Sequence, residues 1–205
     1  LDNIGFPSSD EKAQMYEESY QKLIEAGYVS IGMDHYSKPD DEFAIALKEK
    51  KLHRNFQGYC TRETTGQVYG FGASSISQLD SAYSQNIKTT SEYIDSIDKT
   101  GLAVLRGYSL NENEKIIRHI INSIMCNYYV DLNDVANYFS VTVDEVRDII
   151  NFSQSNFKDF ISDGLLTIDE NHIKVKNRGR LFTRNISMRF DPLVKKNIGT
   201  YSKTI

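Results

Sequence analysis

The sequence predicts two structural regions, an α/β region over residues 1–110 and a mainly helical region with a β-ribbon over residues 111–205. Up to about residue 110, helical and strand-like patterns alternate along the chain, which is typical of α/β proteins. From residue 111 onward, three helical patterns follow one another and two short strand patterns come after them. With 205 residues, of which 40% are apolar, the chain is long enough for one large domain or two small ones.

The composition favours a soluble, cytoplasmic protein. No apolar run approaches the ~20 residues that a membrane-spanning helix needs. The chain starts without a basic segment followed by an apolar one, so we expect no signal peptide, and we expect residues upstream of Leu1 to be missing. Cys60 and Cys126 are the two cysteines, and their wide separation fits a reducing compartment and predicts no metal site.

The first element is predicted to be an amphipathic helix that packs before a buried strand. Ser8 or Ser9 is positioned to cap this helix and Gly27 to end it. Residues 28–33 then form a short apolar run, and a helix, a tight turn and a buried strand make up one unit of a parallel sheet or barrel. Because such barrels build their active sites after their strands, Asp34 is a candidate site residue. The alternative is that Asp34 only caps the turn.

Two more helices and a strand are predicted before residue 110. A second helix is expected to begin near residues 39–41, where proline and acidic residues suit the first turn. It ends in the basic run 48–51, which is more typical of a solvated face than of a ligand site. A helix over 90–101 and a strand over 103–110 complete the first region.

The stretch 53–77 has no sustained helical or alternating period and is rich in glycine, aromatic and small hydroxyl residues. Irregular, glycine-rich backbone often lines a site. Gly70 and Gly72 flank Phe71, a pattern that lets the main chain approach a flat or phosphate-like ligand without an intervening Cβ atom. A simple turn between two buried strands is the equally weighted alternative.

The second region has the outline of a winged-helix domain. Apolar stripes predict helices over 116–125 and 132–139, and a third helix begins within 141–150. The runs 165–168 and 173–175 predict a two-stranded ribbon. Helix-turn-helix units bind DNA in this arrangement, so the alternative function for this region is nucleic-acid binding.

The charges of the third helix argue against specific nucleic-acid binding. Asp144, Glu145 and Asp148 outnumber Arg147 there, and would repel the phosphate backbone. Cations instead cluster near the C-terminus, opposed only by Asp191. They are Lys174, Lys176, Arg178, Arg180, Arg184, Arg189, Lys195, Lys196 and Lys203. The interleaved apolar residues predict docking on protein, and some of the arginines are candidates to face an anionic substrate, although a solvated basic face is the commoner explanation.

Four separated strings resemble the C-terminal part of bacterial oxygen-independent coproporphyrinogen III oxidases, the radical S-adenosylmethionine enzymes of haem biosynthesis. The strings occur in the same order and with nearly the same spacing as in that family. They are GMDHYSKPDDEFA (residues 32–44), LHRNFQGYCT (52–61), GFGASSIS (70–77) and RLFTRNISMRFD (180–191). The resemblance implies that residues 1–110 are the last units of a partial radical-SAM, TIM-like barrel.

The resemblance also implies an activity. Enzymes of this family decarboxylate two propionates of coproporphyrinogen III oxidatively to vinyl groups, using S-adenosylmethionine and a [4Fe–4S] cluster held by a C-x-x-x-C-x-x-C loop. This sequence has no such loop. The resemblance therefore implies that the cluster belongs to the full-length protein alone, that this chain holds no catalytic residue and no metal ligand, and that it is inactive by itself.

The resemblance places one wall of the S-adenosylmethionine and substrate pocket in this chain. Ile76 matches the family's isoleucine that contacts a second S-adenosylmethionine, and Ser75 and Gly72 belong to the same string. Ser75 stands where the family usually has alanine. Gln57 and Asp34 match other strongly patterned positions and are assigned only as neighbours of the pocket. Because Ser187 replaces the usual cysteine, no thiol role is expected there.

Two other readings remain open. The parent protein is alternatively a related radical-SAM protein that traffics haem or modifies another porphyrin, or more remotely a winged-helix regulator. The family resemblance implies coproporphyrinogen III as the substrate of the parent protein. It implies neither specific binding of nucleic acid nor association with a membrane. Since a truncated barrel would leave strand 28–33 with an unpaired edge, self-association is also expected.

Overall fold

The computed structural model describes residues 5–56, 58–61, 67–191 and 194, which form a mixed α+β fold. The α-helices of this part are α1 (Ser9–Glu25), α2 (Glu42–Lys48), α3 (Thr90–Thr100), α4 (Glu112–Asn127), α5 (Leu132–Phe139), α6 (Val143–Ile149), α7 (Lys158–Ser162) and α8 (Thr183–Met188). The strands are β1 (Val29–Gly32), β2 (His35–Ser37), β3 (His53–Asn55), β4 (Gly58–Cys60), β5 (Ile76–Gln78), β6 (Ala82–Asn86), β7 (Val104–Ser109), β8 (Tyr129–Asp131), β9 (Leu166–Asp169) and β10 (His172–Val175). Two short 3-10 helices span Gln154–Phe157 and Asn177–Phe182.

The predicted helix ends are confirmed, because local interactions fix them. Ser8 Oγ accepts the N–H of Glu11, whose carboxylate accepts the N–H of Ser8 in return, so that a capping box starts α1. Gly27 follows this helix with a φ of 80°, and Gly101 ends α3 with a φ of 73°. Both values lie in the left-handed region that glycine adopts at low cost.

None of the described strands of residues 1–110 pairs with another in the parallel arrangement that the sequence pattern predicted. The pairs β1–β2, β3–β4, β5–β6 and β6–β7 are all antiparallel. The chain reverses directly after β1 through Met33, whose φ is 50°, and Ser30 then pairs with Tyr36. An apolar strand after a helix gives the same sequence pattern in a hairpin as in a parallel sheet, so the pattern did not decide between them.

The second region follows the order α4, β8, α5, α6, α7, β9, β10, α8, with one 3-10 helix before α7 and another before α8. Its three-stranded antiparallel sheet has the order β8–β10–β9, with Ile173 of the central strand opposite Val130 on one side and Ile168 on the other. Helices α4 to α8 pack around this sheet. The larger apolar core lies here and includes fully buried Ile120, Ile124, Leu132, Val146, Leu166, Ile173 and Ile186. The tail lysines Lys195, Lys196 and Lys203 lie outside the described residues.

A smaller core joins the first region to α4. Ile31, Leu52, Met125 and Cys126 are buried together in it. Tyr128, at the end of α4, donates its hydroxyl to Ile31 O at 3.0 Å. Among the described residues, none of the helices has both the length and the apolar character needed to traverse a lipid bilayer.

Candidate functional site

The glycine turn, defined as residues 70–77, is a tight chain reversal closed by paired backbone. Val68 and Gln78 exchange two backbone hydrogen bonds of 2.7 and 2.8 Å across its base. Gly70 packs so closely on the facing chain that a Cβ atom there would lie 2.8 Å from Ile76 O. Such a distance is too short for a carbon, so position 70 requires glycine for steric reasons.

The polar groups of Gly72 and Ser75 form hydrogen bonds with each other and with Asn86 and Tyr93. The side-chain amide of Asn86 lies 3.1 Å from Gly72 O, 3.3 Å from Gly70 O and 3.0 Å from Ser75 Oγ. Ser75 Oγ donates to Gly72 O at 2.8 Å, and the N–H of Gly72 donates to Tyr93 Oη at 3.2 Å. Ser75 and Gly72 therefore shape the turn, since their polar groups are already engaged.

What the glycine turn offers to a ligand is bare backbone and apolar side chain. Gly72 has a φ of 98°, and no atom lies within 4 Å of the position that its Cβ would take. Phe71 beside it is 89% exposed, and Ile76 is half-buried at the start of β5. Open backbone beside an exposed aromatic ring is suited to contact an uncharged, flat part of a ligand.

Asp34 lies elsewhere, at the tip of the β1–β2 hairpin, where its side chain is 85% exposed. Its carboxylate contacts His35 Nδ1 at 2.9 Å, and the His35 ring meets the Tyr59 ring edge-on at 5.1 Å. Burial raises the pKa of Tyr59 to about 12, so its hydroxyl stays protonated and donates to Met125 O at 3.5 Å. The guanidinium of Arg54 lies 5.8 Å from the Tyr59 ring.

The structure thus brings Gly72, Ser75 and Ile76 together but leaves Asp34 apart. No hydrogen bond or ion pair among the described residues joins Asp34 to the glycine turn. The β3–β4 hairpin lies between them, because its Tyr59 touches His35 while Phe56 meets Tyr83 of β6 at 5.5 Å. Gln57 belongs to this hairpin in sequence but lies outside the described residues.

Sequence reasoning missed three residues that hold the glycine turn in place. Asn86 lies at the end of β6, a polar strand that no alternation revealed, and Tyr93 was assigned only to the apolar side of α3. Arg118 of α4 donates to Leu79 O at 3.1 Å and to Asp80 O at 2.6 Å, which fastens the β5–β6 hairpin to the second region. These are long-range contacts, and the local sequence carries no signal for them.

The residues present do not fit an iron–sulfur cluster. The described part of the chain contains no group of three or more histidine, cysteine or acidic side chains placed to hold a metal ion. Burial raises the pKa of the Cys126 thiol to about 12 and raises the pKa of Cys60 as well. Cluster ligation needs thiolates, so neither cysteine is suited to it.

Comparison with known proteins identifies relatives along nearly the whole chain. A family model described as the HemN C-terminal domain matches residues 110–182. The oxygen-independent coproporphyrinogen III oxidase of Salmonella typhimurium is 38% identical over 198 residues, covering 96% of this chain and 42% of the relative. The Escherichia coli K12 protein of the same name is 36% identical over 196 residues, with the same two coverages. A third protein of that name, from Thermostichus vulcanus, is 33% identical over 207 residues, covering 100% of this chain and 62% of the relative.

A solved structure described as coproporphyrinogen III oxidase (HemN) from Escherichia coli, a radical SAM enzyme, superposes with a TM-score of 0.84 at 37% identity. The superposition covers 91% of this chain and 42% of that one. The chain therefore spans about two fifths of the length of the Salmonella and Escherichia coli relatives and matches their C-terminal part.

Proposed function

This chain corresponds to the C-terminal part of HemN-family proteins, and from that premise we propose that the complete protein is an oxygen-independent coproporphyrinogen III oxidase. The substrate would be coproporphyrinogen III, two propionates of which become vinyl groups to give protoporphyrinogen IX. The observation that supports this most is the continuous match at 38% identity over 96% of the chain. We place the reaction in the cytoplasm.

We assign to this chain one wall of the S-adenosylmethionine and substrate pocket. Ile76 would contact the ligand with its side chain, while Ser75 and Gly72 hold the open backbone in shape beside it. Asp34 and Gln57 are proposed as neighbours of the pocket. In the complete enzyme, S-adenosylmethionine and a [4Fe–4S] cluster would supply the radical that removes hydrogen from the propionates. The chain described here would be inactive alone, since its cysteines do not fit the cluster.

The regions have separate proposed roles. We propose that residues 1–110 are the C-terminal part of a radical-SAM barrel and that residues 111–205 form a winged-helix-like domain. The order of α4, β8, α5, α6, α7, β9 and β10 supports the second assignment. Specific nucleic-acid binding is not part of the proposal, because Asp144, Glu145 and Asp148 of α6 are exposed and would repel phosphates.

The assigned role of Ile76 is tested in the complete enzyme under anaerobic conditions with coproporphyrinogen III. Ile76→Asp places a charge in the apolar contact, so vinyl-product formation should fall by about 100-fold or more while the iron content stays unchanged. Ile76→Val keeps an apolar side chain and serves as the matched control, with turnover near that of the unmodified enzyme. The melting temperature of each variant separates loss of contact from unfolding. A folded, iron-loaded Asp variant with full activity would remove Ile76 from the site.

A further inference from the structure

A concave site lies beside Tyr128, between the turn after α2, the start of β8 and the end of β10. This basic pocket has a volume of about 620 Å³. Of the residues that the structure describes, five cationic side chains and no carboxylate line it. The cations are Lys50, Lys174, Lys176, Arg178 and Arg180.

Backbone contacts fix the walls of the basic pocket. Val175 N donates to Tyr128 O at 2.8 Å, which extends the pairing of β10 with β8. Lys176 N donates to Leu165 O at 2.8 Å. Gly179 packs on the same carbonyl so closely that any Cβ atom there would collide with it. Residues 176–180, which carry three of the five cations, are therefore held in one conformation.

Two tyrosine rings position two of the cations. The Arg180 guanidinium lies 4.5 Å from the centroid of the Tyr128 ring, and Lys50 Nζ lies 3.7 Å from that of Tyr129. A ring face orients a cation but leaves N–H groups available for an anion. Arg180 Nε is buried and has no hydrogen-bond partner within the described residues. This donor is available to an acceptor from outside the described residues.

The positive charge of the basic pocket is not neutralised by the residues that the structure describes. None of its five cations forms an ion pair with them. Asp131 and Asp134, whose charges act on Tyr129, do not line the pocket, and Asp131 instead contacts His172 Nε2 at 3.1 Å. Cations gathered in a concavity without acids raise the local concentration of anions.

We propose that the basic pocket binds a small anion that carries two or more carboxylate or phosphate groups. The volume lies within the range of about 300–1,000 Å³ that is usual for small-molecule sites. The cations come from two separate parts of the chain, residue 50 and residues 174–180, so a single small anion would engage only some of them, whereas several linked anionic groups engage them together. This proposal stands independently of the proposed oxidase activity.

The test is isothermal titration calorimetry of the full chain at low salt, which measures the binding of two probes, inorganic pyrophosphate and propane-1,2,3-tricarboxylate. We expect saturable binding of at least one probe, weakened by added salt because the contacts are ionic. The double variant Lys176→Gln/Arg178→Gln should bind at least ~10-fold more weakly, since each charge-assisted hydrogen bond contributes about 1.5–3 kcal/mol. The matched control, Lys99→Gln/Lys158→Gln, changes net charge equally at exposed positions outside the pocket and should bind as the unmodified chain does.

Each outcome bears on the proposal. Binding of pyrophosphate alone supports a phosphate ligand, and binding of the tricarboxylate alone supports a carboxylate ligand. Circular dichroism confirms that both double variants remain folded. The proposal is overturned if the folded chain binds neither probe saturably, or if the two double variants weaken binding equally, because the attraction would then be general rather than local.

Discussion

The two regions of this chain differ in how completely they bury their own elements. In the second region, Ile120, Leu132 and Val146 are fully buried around a continuous core. In the first region, neither α1 nor α3 has a buried residue, and every residue of β7 is exposed. The second region can therefore account for its stability internally, whereas the first mainly presents surface.

The exposed surface of the first region is apolar as well as extensive. Leu102, Val104 and Leu105 are 69%, 52% and 57% exposed, and they lie in or beside β7, the edge strand of its sheet. An exposed apolar edge strand is prone to pair with another chain. Self-association was expected from the strand at residues 28–33, but the residues of β1 are buried or half-buried, whereas those of β7 are exposed. In this structure β7 is the stronger candidate for such contact.

The largest expected effect contrasts the two regions directly. Ile120→Ala removes fully buried methyl groups from the larger core and should lower the free energy of unfolding by about 2–5 kcal/mol. Val104→Ala, on the exposed β7, should change it by no more than ~0.5 kcal/mol. Urea denaturation followed by circular dichroism measures both. Equal losses in the two variants would show that the regions share stability evenly.

A smaller, local effect is expected at the glycine turn. Asn86→Ala removes the amide that lies near Gly70 O, Gly72 O and Ser75 Oγ. The variant should lower the free energy needed to open the turn by about 1–3 kcal/mol. Hydrogen exchange read by mass spectrometry should become faster over residues 70–77 and stay unchanged in α4. Asn113→Ala, at an exposed position of α4, is the control. If exchange in the turn is unaltered by Asn86→Ala, other contacts hold it.

The smallest effect is a pH dependence in the second region. Burial alone would raise the pKa of Asp131, but hydrogen bonds from Asn133 and the charge of His172 outweigh it and lower that pKa. A carboxyl with a lowered folded-state pKa contributes stability above its unfolded pKa of about 3.9, and that contribution is lost as the pH falls through the folded value. The melting temperature of the unmodified chain should thus drop more steeply on acidification below pH ~5 than that of Asp131→Asn.

The control for the pH dependence is Asp95→Asn, at an exposed position on α3. Its acid profile should follow that of the unmodified chain. Coincident profiles for Asp131→Asn and the unmodified chain would mean that Asp131 gives no net stabilisation.

The sequence predicted what local interactions determine. A cap at Ser8 or Ser9 was predicted for the start of α1 and Gly101 for the end of α3, and contacts within a few residues fix both. The antiparallel partner of β1 was not anticipated, because contacts outside β1 decide whether it pairs in a hairpin or in a parallel sheet. Strand β6, with the polar sequence AYSQN, carries no alternation that could reveal it.

The candidate sites divide in the same way. Glycine content and the resemblance indicated Gly72, Ser75 and Ile76, which the structure places in one turn. The basic pocket escaped sequence reasoning, because Lys50 looked like part of a solvated helix end and Arg180 lies far from it in sequence. Only the folded chain shows that both surround one concavity.

We propose that the glycine turn contacts S-adenosylmethionine in the complete enzyme. Photolabelling with an S-adenosylmethionine analogue that carries an azide on its adenine ring tests this contact directly, with labelled peptides identified by mass spectrometry. We expect a label within residues 67–78 that an excess of S-adenosylmethionine suppresses and that Ile76→Asp diminishes. Competable labelling that is confined to peptides outside residues 28–93 would contradict the claim.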